Sequence, residues 1–298
     1  MSTQLRNRLR ASRSFFLTPG SRPERFAAAH AMGGDANIVD LESTVAPADK
    51  ERARDAALSF LREPPIADFV RIVRINSPRL VEGLRDLLAF HESGAAPEAI
   101  IIPKCESADE IRLVASILDG SQSAVGIVPM VELARAVFVA HHMADAHERV
   151  CGLFLGGGDL AADLGAEGSW ENLLFARSRI VAAAATTGIA SIDVPYFNPD
   201  GAGLEREATA SRKLGMTGKA ALHAEQLPVI NTIFTPSPEA VAHAQAVAAA
   251  RAASGTNTPV LNGHVVEAAM LREADRVLAI AEKLGNSSSA AADRQSAE

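Results

Sequence analysis

The stretch VCGLFLGGGDL, residues 150–160, carries the two features that decide the fold: a short apolar run and the glycines that end it. The run Val150–Leu155 has the length and composition of a strand that is buried on both faces, as in a parallel sheet covered by helices. Gly156-Gly157-Gly158 then turns the chain, and Asp159 follows at once. The pattern predicts a strand whose carboxyl end carries an acidic side chain.

The same unit, a strand followed by a helix, recurs on both sides of this stretch. The other apolar runs are Ser14–Leu17, Asn37–Glu42, Phe69–Asn76, Ile100–Pro103, Val125–Val131, Ala190–Val194 and Gly218–Leu222. Pro23 and Pro47 suit a first helical position. The segment Ser107–Glu110 forms a capping box, and Gly94 and Gly120 follow helix ends. Eight alternating pairs favour a (β/α)8 barrel, with an open doubly wound sheet as the alternative.

The carboxyl-terminal part departs from this alternation. Ser237-Pro238 opens an Ala-rich helix, a polar linker follows, and Val265–Leu284 predicts a final amphipathic helix. We therefore predict a barrel domain over residues 1–235, a helical extension over 236–285 and a disordered polar tail over 286–298. Because the two added helices need a surface for their apolar faces, we expect a homo-oligomer; the alternative is a final helix that packs only on its own barrel.

Composition argues against several classes of protein. The formal net charge is −7 and aromatic residues make up 4%, so a nucleic-acid binding surface is not expected. No apolar run reaches about 18 residues, and the basic segment 1–13 lacks the apolar core of a signal peptide. We therefore expect a cytoplasmic enzyme that does not bind membranes. Cys105 and Cys151 are predicted to be buried structural thiols.

In a barrel enzyme, the active site lies at the carboxyl ends of the strands. The residues at those ends are Pro19, Gly20, Glu42, Arg74, Asn76, Lys104, Glu106, Glu132, Asp159, Asp193, Lys219 and His223. Because Glu132 and Asp159 follow neighbouring strands, we predict that they hold Mg2+, which prefers oxygen ligands. Alternatively, Glu132 merely begins its helix and Asp159 is an N-cap.

Two further features at these strand ends suit an anionic substrate. The triplet Gly156-Gly157-Gly158 allows backbone N–H groups to approach an anion or carboxylate, although it is also typical of a tight turn between strand and helix. Arg74 offers a bidentate cation for a carboxylate or an enolate oxygen. Its alternative role is a salt bridge with Glu42 or another acid at the mouth of the barrel.

Taken together, these motifs resemble the citrate lyase β-subunit-like family of CoA-ester lyases, within the HpcH/HpaI aldolase group. The resemblance covers residues 12–284, with matching segments at Arg13–Gly20, Asp40–Ser43, Val73–Asn76, Pro103-Lys104, Val131-Glu132, Gly156–Leu160, Gly218-Lys219 and Phe234–Ser237. It implies a TIM barrel, a homotrimer or hexamer, and Mg2+ held by Glu132 and Asp159.

By this resemblance, the reaction cleaves a 3-hydroxyacyl-CoA, such as malyl-, citramalyl- or citryl-CoA, into an oxo-acid and an acyl-CoA. Arg74 and Glu42 are predicted to be catalytic, and Pro19-Gly20 and Gly157-Gly158 to bind substrate together with Arg74. In related enzymes a late Asp from a neighbouring subunit is the general acid–base group. Glu267 stands at the matching position and is predicted to take that role; alternatively, it is an exposed acid at a helix start.

The chain departs from the family pattern at four positions. Glu267 replaces an expected Asp, Ser43 stands where a second Asp usually closes the strand-two motif, Ala224 replaces a Pro, and Gly158 stands where an acid is common. These departures leave three other functions open. They are an acyl-CoA thioesterase, a metal-binding accessory subunit of a lyase complex, and an aldolase that acts on a free oxo-acid without CoA.

Overall fold

The computed structural model describes residues 3–95, 97–119, 124–255 and 258–295. Its central feature is a closed parallel barrel of strands in chain order. The strands are β1 Ser14–Pro19, β2 Ala36–Asp40, β3 Val70–Arg74, β4 Ala99–Ile102, β5 Gly126–Val131, β6 Gly152–Leu155, β7 Ala190–Asp193 and β8 Gly218–Ala221. Because β1 also pairs with β8, the predicted (β/α)8 barrel is confirmed and the open sheet is excluded.

Helices follow the strands along the chain. They are α1 Thr3–Arg10, α2 Ala28–Ala31, α3 Lys50–Arg62, α4 Val81–Ser93, α5 Ala108–Ile117, α6 Ala134–Ala144, α7 Gly157–Leu164, α8 Trp170–Thr187, α9 Gly201–Leu214 and α10 Gln226–Phe234. Pro23 and Pro47 each begin a short 3-10 helix, where a proline has no N–H to leave unpaired. Within the described residues, no helix combines the length and hydropathy needed to cross a bilayer.

The helix-end signals act largely as predicted. The Ser107 hydroxyl accepts a hydrogen bond from the Glu110 amide at 3.3 Å. The Glu110 carboxylate reaches back to the Glu106 amide at 3.1 Å, one residue earlier than in a standard capping box. Gly94 ends α4 in the left-handed conformation at φ 66°. Gly120 lies outside the described residues.

The barrel interior is an apolar core, and α1 contributes to it. Leu5 and Leu9, four residues apart on one face of α1, belong to the same buried cluster as Phe15, Ile38 and other inward-facing strand residues. The predicted burial of Cys105 and Cys151 is confirmed, and burial raises the pKa of each thiol to about 12. The sequence pattern did not predict α1, because its two leucines are separated by polar and basic residues and give too weak an apolar periodicity.

The chain consists of two compact units, which comprise residues 1–232 and residues 233–298. The second contains α11 Pro238–Ser254, the strands β9 Val260–Leu261 and β10 His264–Val265, and α12 Ala268–Gln295. Asn262 and Gly263, at φ 53° and 81°, form the two-residue turn of the hairpin. Positive φ at both positions is the mark of a type I′ turn, for which Asn-Gly is preferred.

A small apolar core holds this second unit together. It contains Ala244, Val247, Val266, Ala274 and Val277. The sequence predicted disorder from residue 286, but the structure continues α12 through residues 286–295, and 296–298 lie outside the described residues. The run contains no proline and is rich in alanine, a strong helix former, which is compatible with continuation of the helix.

Candidate active site

A cavity of 230 Å³ lies at the carboxyl ends of the barrel strands. Of the predicted site residues, Arg74, Glu132, Gly157, Gly158 and Asp159 line it. The remaining wall is largely apolar and includes Leu17, Met130, Phe154, Val194, Phe197 and Leu222. The cavity therefore joins one arginine and two carboxylates against an apolar background, which strengthens their electrostatic interactions.

Arg74, the last residue of β3, is fixed mainly by Asp40, the last residue of β2. Its Nε donates to Asp40 Oδ1 at 2.7 Å, and its Nη2 donates to the Ser43 hydroxyl at 2.6 Å. Burial alone lowers the pKa of Arg74, but the hydrogen bond and charge of Asp40 outweigh it and raise that pKa. Arg74 is thus a permanently charged, oriented cation, and Asp40 is its main salt-bridge partner.

Burial alone raises the pKa of Asp40, yet Arg74 and the hydrogen bonds from Thr44 and Glu42 bring it below its ordinary value. Asp40 and Arg74 are cross-strand neighbours in the register of β2 and β3. Arg74 Nη1 has the weakest contacts of the three nitrogens: it donates to the Met130 sulfur at 3.9 Å and lies 3.6 Å from Glu42 Oε2.

Glu132 follows β5 and is almost fully buried, with 1% of its side chain exposed. Its Oε1 accepts a hydrogen bond of 2.6 Å from the Lys104 amide. Burial raises the pKa of Glu132 to about 7, while Lys104 opposes this rise and Asp159 and Glu42 add to it. The Glu132 carboxylate is therefore removed from water, and its nearest ammonium, that of Lys104, lies 4.0 Å away and balances its charge only in part.

Asp159 lies in the first turn of α7, and 48% of its side chain is exposed. Gly156 is the N-cap position of this helix, so the alternative in which Asp159 is the N-cap is wrong. A Cβ atom on Gly156 would collide with the Glu132 side chain, whereas one on Gly158 would meet nothing within 4 Å. Gly156 is thus required sterically beside Glu132, and Gly158 leaves open space.

Lys104 connects these acidic groups. Its Nζ lies 2.9 Å from Glu42 Oε1, 3.2 Å from Asp159 Oδ2 and 4.0 Å from Glu132 Oε1. Burial alone lowers the pKa of Lys104, but the surrounding carboxylates raise it above its ordinary value. The structure thus brings Glu42 into the same cluster as the two predicted metal ligands.

Two residues predicted at the mouth, Asp193 and Lys219, instead form a buried ion network. Lys219 Nζ lies 2.9 Å from Asp193 Oδ2 and 2.7 Å from Glu207 Oε1, and Arg177 Nε lies 2.8 Å from Asp193 Oδ1. Neither Asp193 nor Lys219 lines the cavity. Two cations and two carboxylates balance there, which is the arrangement that buried charges require.

The other predicted mouth residues also lie away from the cavity lining. Asn76 donates to buried Asp86, Glu106 pairs with Arg79 at 2.6 Å, and His223 is exposed. Pro19 is the last residue of β1, and the Gly20 amide that follows it donates to the carbonyl of Asp40, the last residue of β2, at 2.8 Å. Their predicted substrate contact stays a prediction.

Glu267 belongs to the second compact unit. It is exposed, and its carbonyl accepts from the Leu271 amide at 3.2 Å at the start of α12. Its catalytic role in a neighbouring subunit stays a prediction.

The donor set at the cavity fits a hard divalent cation. Within the described residues, no group of three or more His, Cys, Asp or Glu side chains is placed to hold a metal. Glu132 and Asp159 nevertheless provide two carboxylates, and Mg2+ usually completes its shell with water and substrate oxygens. Glu42 does not line the cavity, but its buried Oε2 lies 3.6 Å from Arg74 Nη1 and has no hydrogen-bond partner among the described residues. These acidic oxygens would stabilise a cation.

A closed (β/α)8 barrel with charged side chains in a cavity at its strand ends defines the class of barrel enzymes. The model of the family "HpcH/HpaI aldolase/citrate lyase" matches residues 13–224. The chain therefore belongs to this family, which confirms the resemblance drawn from its motifs.

Similar proteins cover nearly the whole chain. Citrate lyase subunit beta of Escherichia coli K12 is 30% identical over 289 residues, 93% of this chain and 95% of that protein. A (3S)-malyl-CoA thioesterase of Cereibacter sphaeroides is 32% identical over 278 residues, 91% of this chain and 95% of that protein. CitE from Mycobacterium tuberculosis, solved with magnesium, acetoacetate and coenzyme A, is 31% identical with a TM-score of 0.72. That match covers 92% of this chain and all of the other.

The sequence pattern assigned no site role to Asp40 or Met130, and it gave Gly156 only a close backbone approach to an anion. Asp40 and Met130 each carried a usable signal. Asp40 ends β2 as Arg74 ends β3, so equal strand ends indicated that they are neighbours. Met130 precedes Glu132 by two residues and therefore shares its face of the strand. A Cβ atom on Gly156 would collide with Glu132 and Met130, whereas one on Gly158 would meet nothing within 4 Å, and the sequence does not reveal this difference.

Proposed function

We propose that the protein is a Mg2+-dependent carbon–carbon lyase that cleaves a 3-hydroxyacyl-CoA, such as malyl-, citramalyl- or citryl-CoA, to an oxo-acid and an acyl-CoA. The named relatives and the bound groups of the CitE structure support this reading. The observation that carries it is the common cavity of Arg74, Glu132 and Asp159. A cation site and an oriented guanidinium thereby face the same small space.

The size of the cavity indicates which part of the substrate it accepts. Pockets that enclose a drug-sized ligand measure about 300–1,000 Å³, and this cavity measures 230 Å³. It suits the oxo-acid end and the reacting carbons, so we place the nucleotide part of CoA outside it. The apolar wall around Phe154 and Val194 would exclude water from the reacting atoms.

Each charged group has a defined role in this proposal. Glu132 and Asp159 would hold Mg2+, which supplies Lewis-acid polarisation of the oxo-acid oxygens. Arg74 stabilises the negative charge that develops on the thioester enolate as the carbon–carbon bond breaks. Glu42 helps to set the charge around Arg74 and Lys104. As general acid–base group, Glu267 of a neighbouring subunit would accept the 3-hydroxyl proton as the carbon–carbon bond breaks and the oxo group forms, and would deliver it to the acyl carbon.

A thioesterase is the second candidate, since a relative with that name is 32% identical to this chain. In that reaction water attacks the thioester carbonyl, and the products are a free acid and CoA. Both reactions need a polarised thioester carbonyl oxygen. They differ in their products, because only the lyase releases an oxo-acid and only the thioesterase releases free CoA.

The test is a cleavage assay with Mg2+ on malyl-CoA, citramalyl-CoA and citryl-CoA that measures oxo-acid, acyl-CoA and free CoA. We expect oxo-acid and acyl-CoA in equal amounts, and their loss in Asp159→Ala. Glu167→Ala is the matched control, because it removes an exposed carboxylate that does not line the cavity. Free CoA without oxo-acid would identify the thioesterase. Absence of turnover with metal bound would favour the free-acid aldolase or the accessory subunit.

The role of Glu267 has a separate test in mixed oligomers. Arg74→Ala and Glu267→Ala should each be inactive as pure proteins. If Glu267 acts on a neighbouring subunit, then co-expressed hybrids contain sites with both wild-type residues and recover part of the activity. Hybrids without activity would contradict a role in the neighbouring site.

A further inference from the structure

The backbone of Lys104, which follows β4, is fixed by hydrogen bonds on both its amide and its carbonyl. It adopts the left-handed conformation at φ 52°, which is uncommon for a residue with a side chain. Its amide donates to Glu132 Oε1 at 2.6 Å, and its carbonyl accepts a hydrogen bond from Arg79 Nη2. Arg79 is itself held by Glu106 at 2.6 Å. The main chain is therefore fixed while the side chain extends from it.

The Lys104 ammonium lies against the oxygens that a divalent cation would use. It contacts Asp159 Oδ2 at 3.2 Å, and Glu132 Oε1 is 4.0 Å away, with the closest contact at Glu42. The side chain is 35% exposed, so it has room to move towards solvent. An ammonium and Mg2+ cannot both contact the same face of one carboxylate oxygen without strong repulsion.

The charges of the cluster indicate what such an exchange would achieve. Glu42, Glu132 and Asp159 carry three formal negative charges, and Lys104 supplies one positive charge. Arg74 is committed mainly to Asp40 and forms a nearly neutral pair with it. The excess of carboxylates allows a divalent cation to bind while Lys104 keeps its contact with Glu42.

We propose that Lys104 is an exchangeable counter-ion of the cation site. A divalent cation that binds Glu132 and Asp159 displaces the ammonium from Asp159, while the hydrogen bond from its amide to Glu132 keeps the Lys104 backbone beside the cation site. The displaced ammonium then faces the anionic groups of the incoming oxo-acid thioester. The inference rests on the proposed metal-dependent function. It adds that a cation must displace the Lys104 ammonium from Asp159 in order to bind, which weakens its affinity.

Affinity for Mn2+, measured by electron paramagnetic resonance of the free ion, tests the exchange without reference to turnover. We expect Lys104→Met to bind Mn2+ several-fold more tightly than the wild type, because no ammonium then competes for Asp159. The control is Lys213→Met, which removes an exposed ammonium from α9. Equal or weaker binding by Lys104→Met would overturn the exchange and make Lys104 a support for the metal ligands.

A second measurement uses the unaltered protein, so that misfolding of a variant cannot obscure the result. Acetic anhydride modification of Lys104, read by mass spectrometry, should increase when Mg2+ is added, while that of Lys213 should stay constant. Unchanged modification of Lys104 would also overturn the proposal. If the wild type and Asp159→Ala bind Mn2+ equally, the metal site of the proposed function fails. If Asp159→Ala loses Mn2+ binding and the wild type keeps it, the metal site stands. A negative result in either Lys104 test then contradicts only the exchange.

Discussion

Two ion clusters occupy the strand ends of this barrel, and they differ in charge balance. In the cluster around Lys104, three carboxylates share one ammonium, and two of the acids line a cavity. Arg74 also lies 3.6 Å from Glu42, but Asp40 at 2.7 Å balances its charge, so the carboxylates remain in excess. In the cluster around Lys219, two cations match two carboxylates, and Asp193 and Lys219 are completely buried. The first cluster retains capacity for a ligand, and the second is satisfied by its own members.

The comparison shows that position at a strand end does not by itself identify a functional ion. Burying a charge is unfavourable unless a partner balances it, so a balanced buried cluster holds elements together. An unbalanced cluster beside a cavity leaves a carboxylate such as Glu132 poorly compensated, which favours cation binding. Four predictions test this distinction, in order of decreasing effect.

The largest effect is expected when the balanced cluster loses a cation. Lys219→Met would leave Asp193 and Glu207 with Arg177 alone, and breaking a buried pair costs about 3–5 kcal/mol. Urea unfolding followed by circular dichroism would measure this loss. Lys104→Met should lower the unfolding free energy by less than about 1 kcal/mol, since its ion pairs are partly exposed. Similar losses in both variants would contradict the distinction.

The second effect concerns activity and stability together. Asp159→Asn keeps the shape of the side chain but removes its charge, and we expect activity to fall by about 10²–10³-fold, as for loss of one transition-state contact. The unfolding free energy should change little, because Asp159 is half exposed. A variant with full activity would place the cation elsewhere.

The third effect separates two glycines of one turn. Gly156→Ala adds a Cβ against the Glu132 side chain, and overpacking of this kind costs about 1–3 kcal/mol. We expect lower stability and weaker Mn2+ binding, because Glu132 must shift. Gly158→Ala is the matched stability control, since its Cβ would meet nothing within 4 Å. Equal destabilisation by both substitutions would show that the close contact with Glu132 is not the cause.

The smallest effect is the pH dependence of the balanced cluster. Although burial opposes it, Lys219 and Arg177 lower the pKa of Asp193. Its ionised form therefore stabilises the fold above the unfolded pKa of about 3.9, and this stabilisation is lost as pH falls through the folded value. The difference in unfolding free energy between wild type and Asp193→Asn should shrink below about pH 4. A difference that stays constant with pH would contradict this origin.

The fold was predictable because strand periodicity and helix signals are local. The fifth strand was predicted at Val125–Val131 and is found at Gly126–Val131. The second was predicted at Asn37–Glu42 and is found at Ala36–Asp40, so it ends two residues earlier than predicted, because Glu42 continues the acidic motif beyond the last ladder pair at Asp40. The helix α1 was missed because its apolar face consists of just two leucines between basic residues.

The site was predictable in part. Barrel topology placed Arg74, Glu132 and Asp159 at one end of the sheet, and all three line the cavity. The same rule also selected Asp193 and Lys219, which form a closed network with Arg177 from α8 and Glu207 from α9. Topology fixes which end of a strand a residue follows, but partners from distant helices decide whether its charge is already neutralised.

By itself, the sequence determined the order of the strands, the ends at which polar residues gather and the family to which the chain belongs. These properties depend on local periodicity and on motifs in register. The tertiary structure alone decided that Asp40 holds Arg74, that Gly156 must lack a side chain beside Glu132, and that Lys104 lies among three carboxylates. Such contacts join residues far apart in the chain, and their energies depend on distances and burial that exist only after folding.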